Sequence, residues 1–245
     1  MQTAALHVFQ KLARHDIRPW AVTGGLAIEI HHLRLGLECS IRSLNDLDFI
    51  TRSFDCIPET LAADFLFRHV HPSDPPGKTM LQFIDPDSAL RIDVFRAYGA
   101  TMDRTSRLDF ASATVQLISL EDLVAREARL TLDLAQRIPV PSKHARDFLR
   151  LVELVDPADV ETAWQDHRKP KHPITFGETN HLLQDLIPAH PKLLITPHYS
   201  NDREKVCTRC SPTATFRLAD PRSFFIRACL DFTCLHVPAL GAFCN

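Results

Sequence analysis

The sequence predicts an α/β (α+β) fold: a mixed sheet with flanking helices, then a small helical bundle and a cysteine-containing tail. Three observations predict it. Short apolar strand-like runs alternate with helical segments through the first half of the chain. The apolar period becomes helical between residues 119 and 187. After Pro188 the period fades, and proline, histidine and cysteine become frequent. The expected domains are therefore 1–118, 119–190 and 191–245.

The elements follow in order. Leu6, Phe9, Leu12 and Ala13 recur at helical spacing, which predicts a helix over about 3–15. A strand is expected at about 17–23, and a helix at about 26–34 after two adjacent glycines. "NDLDFI" (45–50) reads as a strand and a helix begins near Pro58 (58–66). "MLQFI" (80–84), "LRIDVF" (90–95) and "TVQLIS" (114–119) read as further strands. Ser119 with Asp122 three residues later opens a helix over 119–137, whose apolar face is Leu120, Leu123, Val124, Ala128 and Thr131. Pro139 and Pro141 end it. Ser142 opens the next helix, which buries Ala145, Phe148, Leu149 and Val152. Asp156 caps a third with Pro157 at its first position, and Thr175 with Glu178 opens a fourth.

Composition narrows the function. Hydrophobic residues are 45% and charged residues 24% of 245, enough to bury a core. A net charge of −2 argues against broad, non-specific nucleic-acid binding, though it leaves room for a local basic groove. No charge-free run of about 18 apolar residues occurs, so no membrane span is expected. The most apolar stretch, "FFIRACLDFTCLHVPALGAFC", is interrupted by Arg227, Asp231 and His236. The first residues show no signal-peptide pattern, and the seven cysteines are odd in number and unevenly spread, so a reducing cytoplasm is expected.

The chemistry concentrates in three places. Gly24 and Gly25 sit between a strand and a helix. Either they form a plain tight turn, or they let backbone N–H groups meet a phosphate at the helix N-terminus. Asp46 and Asp48 alternate on a strand and so share a face; two such carboxylates repel unless a cation joins them. Asp93 lies mid-strand between Ile92 and Val94 and must be paired, with Arg91 or Arg96, or coordinate something. If the two strands are neighbours, three carboxylates converge near the strand ends, an oxygen-donor set for Mg²⁺. Phosphates at the glycines and metal at the aspartates describe a nucleoside triphosphate (NTP) held for transfer. Two metals about 3.5–4 Å apart would serve nucleophile and leaving group, with Asp93 as the natural general base.

The order strand–Gly-Gly–helix, Asp-x-Asp, then a lone Asp resembles the nucleotidyltransferase superfamily related to DNA polymerase beta. Within it, "AVTGGLAIEIHH", "NDLDFI", "RIDVF", "LISLEDLVAREARL" and "KHARDFLRLVEL" resemble the AbiEii-like nucleotidyltransferases of toxin–antitoxin systems, over roughly residues 17–155. The resemblance implies that Gly24 and Gly25 hold the triphosphate and that Asp46, Asp48 and Asp93 bind metal. It also implies that Arg42 neutralises phosphate charge and that Lys143 and Asp147 are functional. Lys143 and Asp147 are also spaced i, i+4, which is ordinary surface pairing on a helix. His31 and His32 are read as surface or packing residues. The family often carries Ser or Thr where this chain has Leu44, and Lys where it has Glu127.

The expected function is Mg²⁺-dependent transfer of a nucleoside monophosphate from an NTP to an RNA 3′ end, such as that of tRNA, or to a protein hydroxyl. The resemblance adds an antitoxin protein as a candidate partner. The alternative, motivated by Leu44 and Glu127, is a catalytically degenerate relative that binds a nucleotide or partner without turnover. A third reading makes the tail a partner-binding surface. In that tail Cys207-x2-Cys210 and Cys229-x4-Cys234 approach a zinc-ribbon spacing. The looser second pair and its apolar surroundings equally suit free cysteines.

Overall fold

The computed structural model describes residues 3–38, 46–73 and 78–196. Arg42, Leu44 and the four cysteines Cys207, Cys210, Cys229 and Cys234 lie outside the described residues. The described residues form two compact units, the first within 3–97 and 106–117, the second within 98–105 and 118–196.

The first unit runs α1 (Thr3–Leu12), β1 (Trp20–Thr23), α2 (Gly24–Arg34), β2 (Asp46–Thr51), α3 (Leu61–Asp64), β3 (Leu66–Ser73), β4 (Lys78–Ile84), β5 (Arg91–Arg96), β6 (Ser106–Phe110) and β7 (Ala113–Leu117). The seven strands form one mixed sheet in the order β3-β4-β5-β2-β1-β7-β6. β2 pairs with β5, and β1 with β7, in parallel; the other neighbours are antiparallel. Apolar side chains alternate along the central strands, so Trp20, Val22, Leu47, Phe49, Leu81, Phe83, Ile92 and Val94 are buried on one face. Phe9 of α1 contacts Phe49 and Phe110 with ring centroids 5.8 and 5.1 Å apart. Lys11 of the same helix is buried and reaches Asp85 at 2.6 Å and Asp87 at 2.7 Å in the turn after β4. Burial disfavours both charges, but the bonds win: Lys11 titrates higher than usual and Asp85 lower.

Two strands of this sheet escape the sequence pattern, and both are edges. β3 carries Pro72, which an edge strand tolerates because one side of its ladder is unpaired. β6 buries only Leu108, so its apolar alternation is too sparse to read. The helix expected over 58–66 is a single turn, because the backbone is already extended at Phe65. The helix that follows the two glycines starts two residues earlier than expected, at Gly24 itself.

The second unit contains α4 (Leu120–Thr131), the two-residue strand β8 (Val140–Pro141), α5 (Ser142–Val152), α6 (Pro157–His167), α7 (Phe176–Ala189) and β9 (Leu194–Ile195), which pairs with β8. The helix expected over 119–137 becomes a 3-10 turn after Thr131 and ends at Arg137, whose φ of 58° is left-handed. Three N-terminal caps form as the sequence predicts. Ser119 accepts from the Asp122 N–H, Asp156 accepts from the Ala158 N–H, and Thr175 with Glu178 makes a complete capping box. Ser142 makes no cap, since Pro141 occupies that position. Thr175→Ala removes one arm of the box. It is expected to cost about 1 kcal/mol, read as a small drop in the thermal midpoint.

Asp122 does more than open α4. It is fully buried and accepts from Arg104 at 2.7 and 2.8 Å, from Ser119 at 2.7 Å and from Thr101 at 3.1 Å, with His167 Nε2 at 3.0 Å. Burial works against its charge, yet Arg104 and His167 hold its carboxyl far below the usual range. Burial pushes His167 down. His172 stacks on Trp164 at 5.8 Å, and burial, then Lys169 and Arg129, push it down to about 4 from 6.5. A histidine whose folded value is lowered leaves more protons on the unfolded chain in acid. Stability is therefore complete above pH 6.5 and falls as the pH drops through that range towards 4. The His172 contribution is up to roughly 3 kcal/mol. Chemical denaturation at pH 7 and pH 4.5 is expected to show this loss, and His172→Phe to reduce it.

Candidate active site

The strand register builds the site. Asp48 lies opposite Asp93 and Asp46 opposite Arg91 in the parallel β2–β5 pair. Directly opposed residues share a face, so a D-x-D strand beside an R-x-D strand makes a block of three carboxylates and one guanidinium. The opposite face of both strands is buried apolar surface, which forces the charged set outward. Ligand oxygens from Asp46, Asp48 and Asp93 all lie within 4.8 Å of one another. Asp93 is buried, while Asp46 and Asp48 are half-buried. Burial alone would weaken a guanidinium, but Asp93, Asp46 and Asp48 together raise Arg91 above its ordinary value.

Each carboxylate is held. Gln82 of β4, in register with Asp93, donates to Asp93 Oδ1 at 2.7 Å. Arg91 Nε lies 3.1 Å from Asp93 Oδ2, and Arg91 Nη2 ion-pairs with Asp46 Oδ2. Asp48 presses against the glycine turn from the other side. Thr23, the last residue of β1, is in register with Asp48, and Gly24 follows at once with φ of 61°. A Cβ at Gly24 would stand 2.1 Å from Asp48 Oδ2 and 2.9 Å from Asp48 Cβ. Gly24 is thus required twice, for its left-handed backbone and for the approach of the carboxylate. Gly24→Ala is expected to cost about 1–3 kcal/mol and to push Asp48 out of the cluster. Thermal unfolding together with Mn²⁺ titration checks both effects.

Thr23 is fully buried, caps α2 without a side-chain bond, and its hydroxyl has no hydrogen-bond partner among the described residues. Gly25 lies in the first turn of α2. The turn therefore places a helix N-terminus, suited to anion recognition, beside carboxylates suited to a divalent cation.

The structure brings Asp46, Asp48, Asp93 and Gly24 together. Lys143 and Asp147 belong to α5 in the second unit, where Asp147 is buried and Lys143 half-buried. Glu127 is also buried in that unit, with Arg126 as an ion-pair partner and His144 Nδ1 at 2.7 Å. Burial would raise it, but Arg126 and His144 outweigh that and bring it down to about 2. Sequence reasoning treated Arg91 only as one of two salt-bridge partners for Asp93 and did not anticipate its bond to Asp46. The signal was present: Arg91 is two residues before Asp93 and so shares its face. Gln82 had no signal, because only the β4–β5 register places it.

No helix among the described residues is long and apolar enough to cross a membrane. No protein-family model matches the chain, and no curated protein matches it. Among solved structures, it is similar to an antigenic nucleotidyltransferase-like protein from Paracoccidioides brasiliensis, at 18% identity and a TM-score of 0.41, over 80% of this chain and 93% of that one. It is also similar to JHP933 from Helicobacter pylori, at 16% identity and a TM-score of 0.27, over 78% and 91% of the two chains. Neither likeness assigns an activity to this chain.

Proposed function

We propose that this chain is a divalent-metal-dependent nucleotidyltransferase, similar to the AbiEii-like enzymes, which moves a nucleoside monophosphate from an NTP to an RNA 3′ end such as that of tRNA, or to a protein hydroxyl. The observation that carries this reading is the convergence of Asp46, Asp48 and Asp93 within 4.8 Å, beside the glycine turn that opens α2. The donors are all carboxylate oxygens, a hard set that fits Mg²⁺, and these three residues would hold it. When bound, the ion offsets phosphate charge and polarises the phosphoryl group under attack.

The chain's own residues supply the rest. Backbone N–H groups at Gly24 and Gly25 bind triphosphate oxygens. Arg42 offsets further phosphate charge. Asp93, held by Gln82, takes the proton of the acceptor hydroxyl. The acceptor oxygen bonds to the α-phosphorus, the bond from that phosphorus to the α–β bridging oxygen breaks, and pyrophosphate leaves. Lys143 and Asp147 are further functional positions, and a toxin role would bring an antitoxin protein as partner. A structural zinc at Cys207, Cys210, Cys229 and Cys234 is tested by metal analysis of the purified protein; absence of zinc removes it.

One observation favours the second reading, a degenerate relative that binds a nucleotide without turnover: Arg91 already supplies a cation to Asp46 and Asp93. The deciding experiment incubates the protein with each α-labelled NTP, Mg²⁺, and cellular RNA and protein, beside Asp46→Ala. Label on RNA or protein that vanishes in the variant supports transfer. Mg²⁺-dependent NTP binding without label supports the degenerate relative.

A further inference from the structure

The site contains a cation of its own, and it stands on the same oxygens a metal would use. Arg91 pairs with Asp46 Oδ2 and lies 3.1 Å from Asp93 Oδ2, while the other oxygen of Asp93 accepts from Gln82. Both Asp93 oxygens are thus engaged, and one Asp46 oxygen is too. A divalent ion entering this cluster either displaces the guanidinium or sits beside it. At separations of a few ångströms in a partly buried site, repulsion between a divalent ion and the guanidinium opposes their sharing the same carboxylates. The side chain of Arg91 is 34% exposed, so solvent screens part of this repulsion but not all of it.

A guanidinium released from carboxylates has an equally good alternative partner. Phosphate oxygens match its planar fork, and a triphosphate brings several. We propose that Arg91 is a positioning residue that makes metal binding conditional on nucleotide. It occupies Asp46 and Asp93 until a triphosphate draws it away, and then pairs with the phosphate while the carboxylates take the metal. By linkage the coupling is reciprocal: metal and triphosphate each raise the affinity for the other through one arginine. This inference rests on the nucleotidyltransferase reading.

The test titrates the full chain with Mn²⁺ alone and with preformed Mn²⁺–tripolyphosphate, by calorimetry, in the wild type and in Arg91→Gln. The expected result is a pair of opposite shifts. Arg91→Gln binds free Mn²⁺ at least about tenfold more tightly, because the competing cation is gone, and binds Mn²⁺–tripolyphosphate at least about tenfold more weakly, because the phosphate has lost its partner. A purely structural arginine would weaken both or neither. Any pattern other than opposite shifts overturns the inference, and it does so alone if the wild type binds Mn²⁺–tripolyphosphate. A wild type that binds neither probe overturns the nucleotidyltransferase reading as well. Arg91→Lys keeps the charge and loses the fork. It is expected to keep the wild-type Mn²⁺ affinity and to lose several-fold in Mn²⁺–tripolyphosphate. It carries the test where the glutamine variant does not fold, and unchanged Mn²⁺–tripolyphosphate binding there also overturns the proposal.

Discussion

Asp48→Ala is expected to reduce nucleotidyl transfer by at least about a thousandfold while leaving the thermal midpoint within a few degrees of the wild type. Asp48 is the carboxylate that joins the two halves of the site. It faces Asp93 across the β2–β5 pair and Thr23 across the β1–β2 pair, and it abuts Gly24. Its loss would remove one of the three oxygen donors proposed for metal, next to the turn proposed for phosphate, and electrostatic terms of this kind commonly account for several orders of magnitude in rate. The fold should tolerate the change. Arg91 keeps two carboxylate partners, and the buried face of β2 is untouched, since Leu47 and Phe49 point the other way. Label transfer measured beside circular dichroism melting checks both halves. Retained transfer in a folded variant would remove Asp48 from the machinery and, with it, the case for a shared metal.

The largest effect on stability is expected at Asp122. Asp122→Ala should cost about 3 kcal/mol, because it leaves Arg104 with Asp166 as its remaining carboxylate and the buried His167 without one. The damage reaches the segment Tyr98–Thr105. Thr101 and Arg104 bond to Asp122, Arg104 and the Ala100 N–H bond to Asp166, and Arg129 lies over the Tyr98 ring at 4.8 Å. Denaturant unfolding measures the loss. A change under about 1 kcal/mol would mean that the network contributes geometry rather than stability. Asp122→Asn should fall between, since it keeps acceptors for Thr101 and Ser119 but not the charge that Arg104 faces.

Much of the helical unit is legible in the sequence because its signals are local. Ser119, Asp156 and Thr175 are N-caps within a few residues of the donors they satisfy, and Ala145, Phe148 and Val152 recur at helical spacing and are buried. The same local logic reads Asp122 as a first-turn acid and misses its larger role, since Arg104 and His167 are 18 and 45 residues away. Leu149 shows the limit of periodicity: it lies on the apolar stripe of α5 and is only half-buried.

The candidate site divides the same way. Alternation along a strand depends only on neighbouring residues, so it is readable from the chain alone that Asp46 and Asp48 share a face, that Arg91 and Asp93 share a face, and that two glycines stand between a strand and a helix. No distance between those pairs is readable there. Folding makes β2 and β5 parallel neighbours in a register that sets Asp48 against Asp93 and Asp46 against Arg91, brings Gln82 alongside from β4, and closes Asp48 on Gly24. Register is a long-range choice, made by burying Leu47, Phe49, Ile92 and Val94 on the far side of the sheet. A shift of one residue would turn those side chains outward and scatter the carboxylates, which is why the core and the candidate site are set by one and the same pairing.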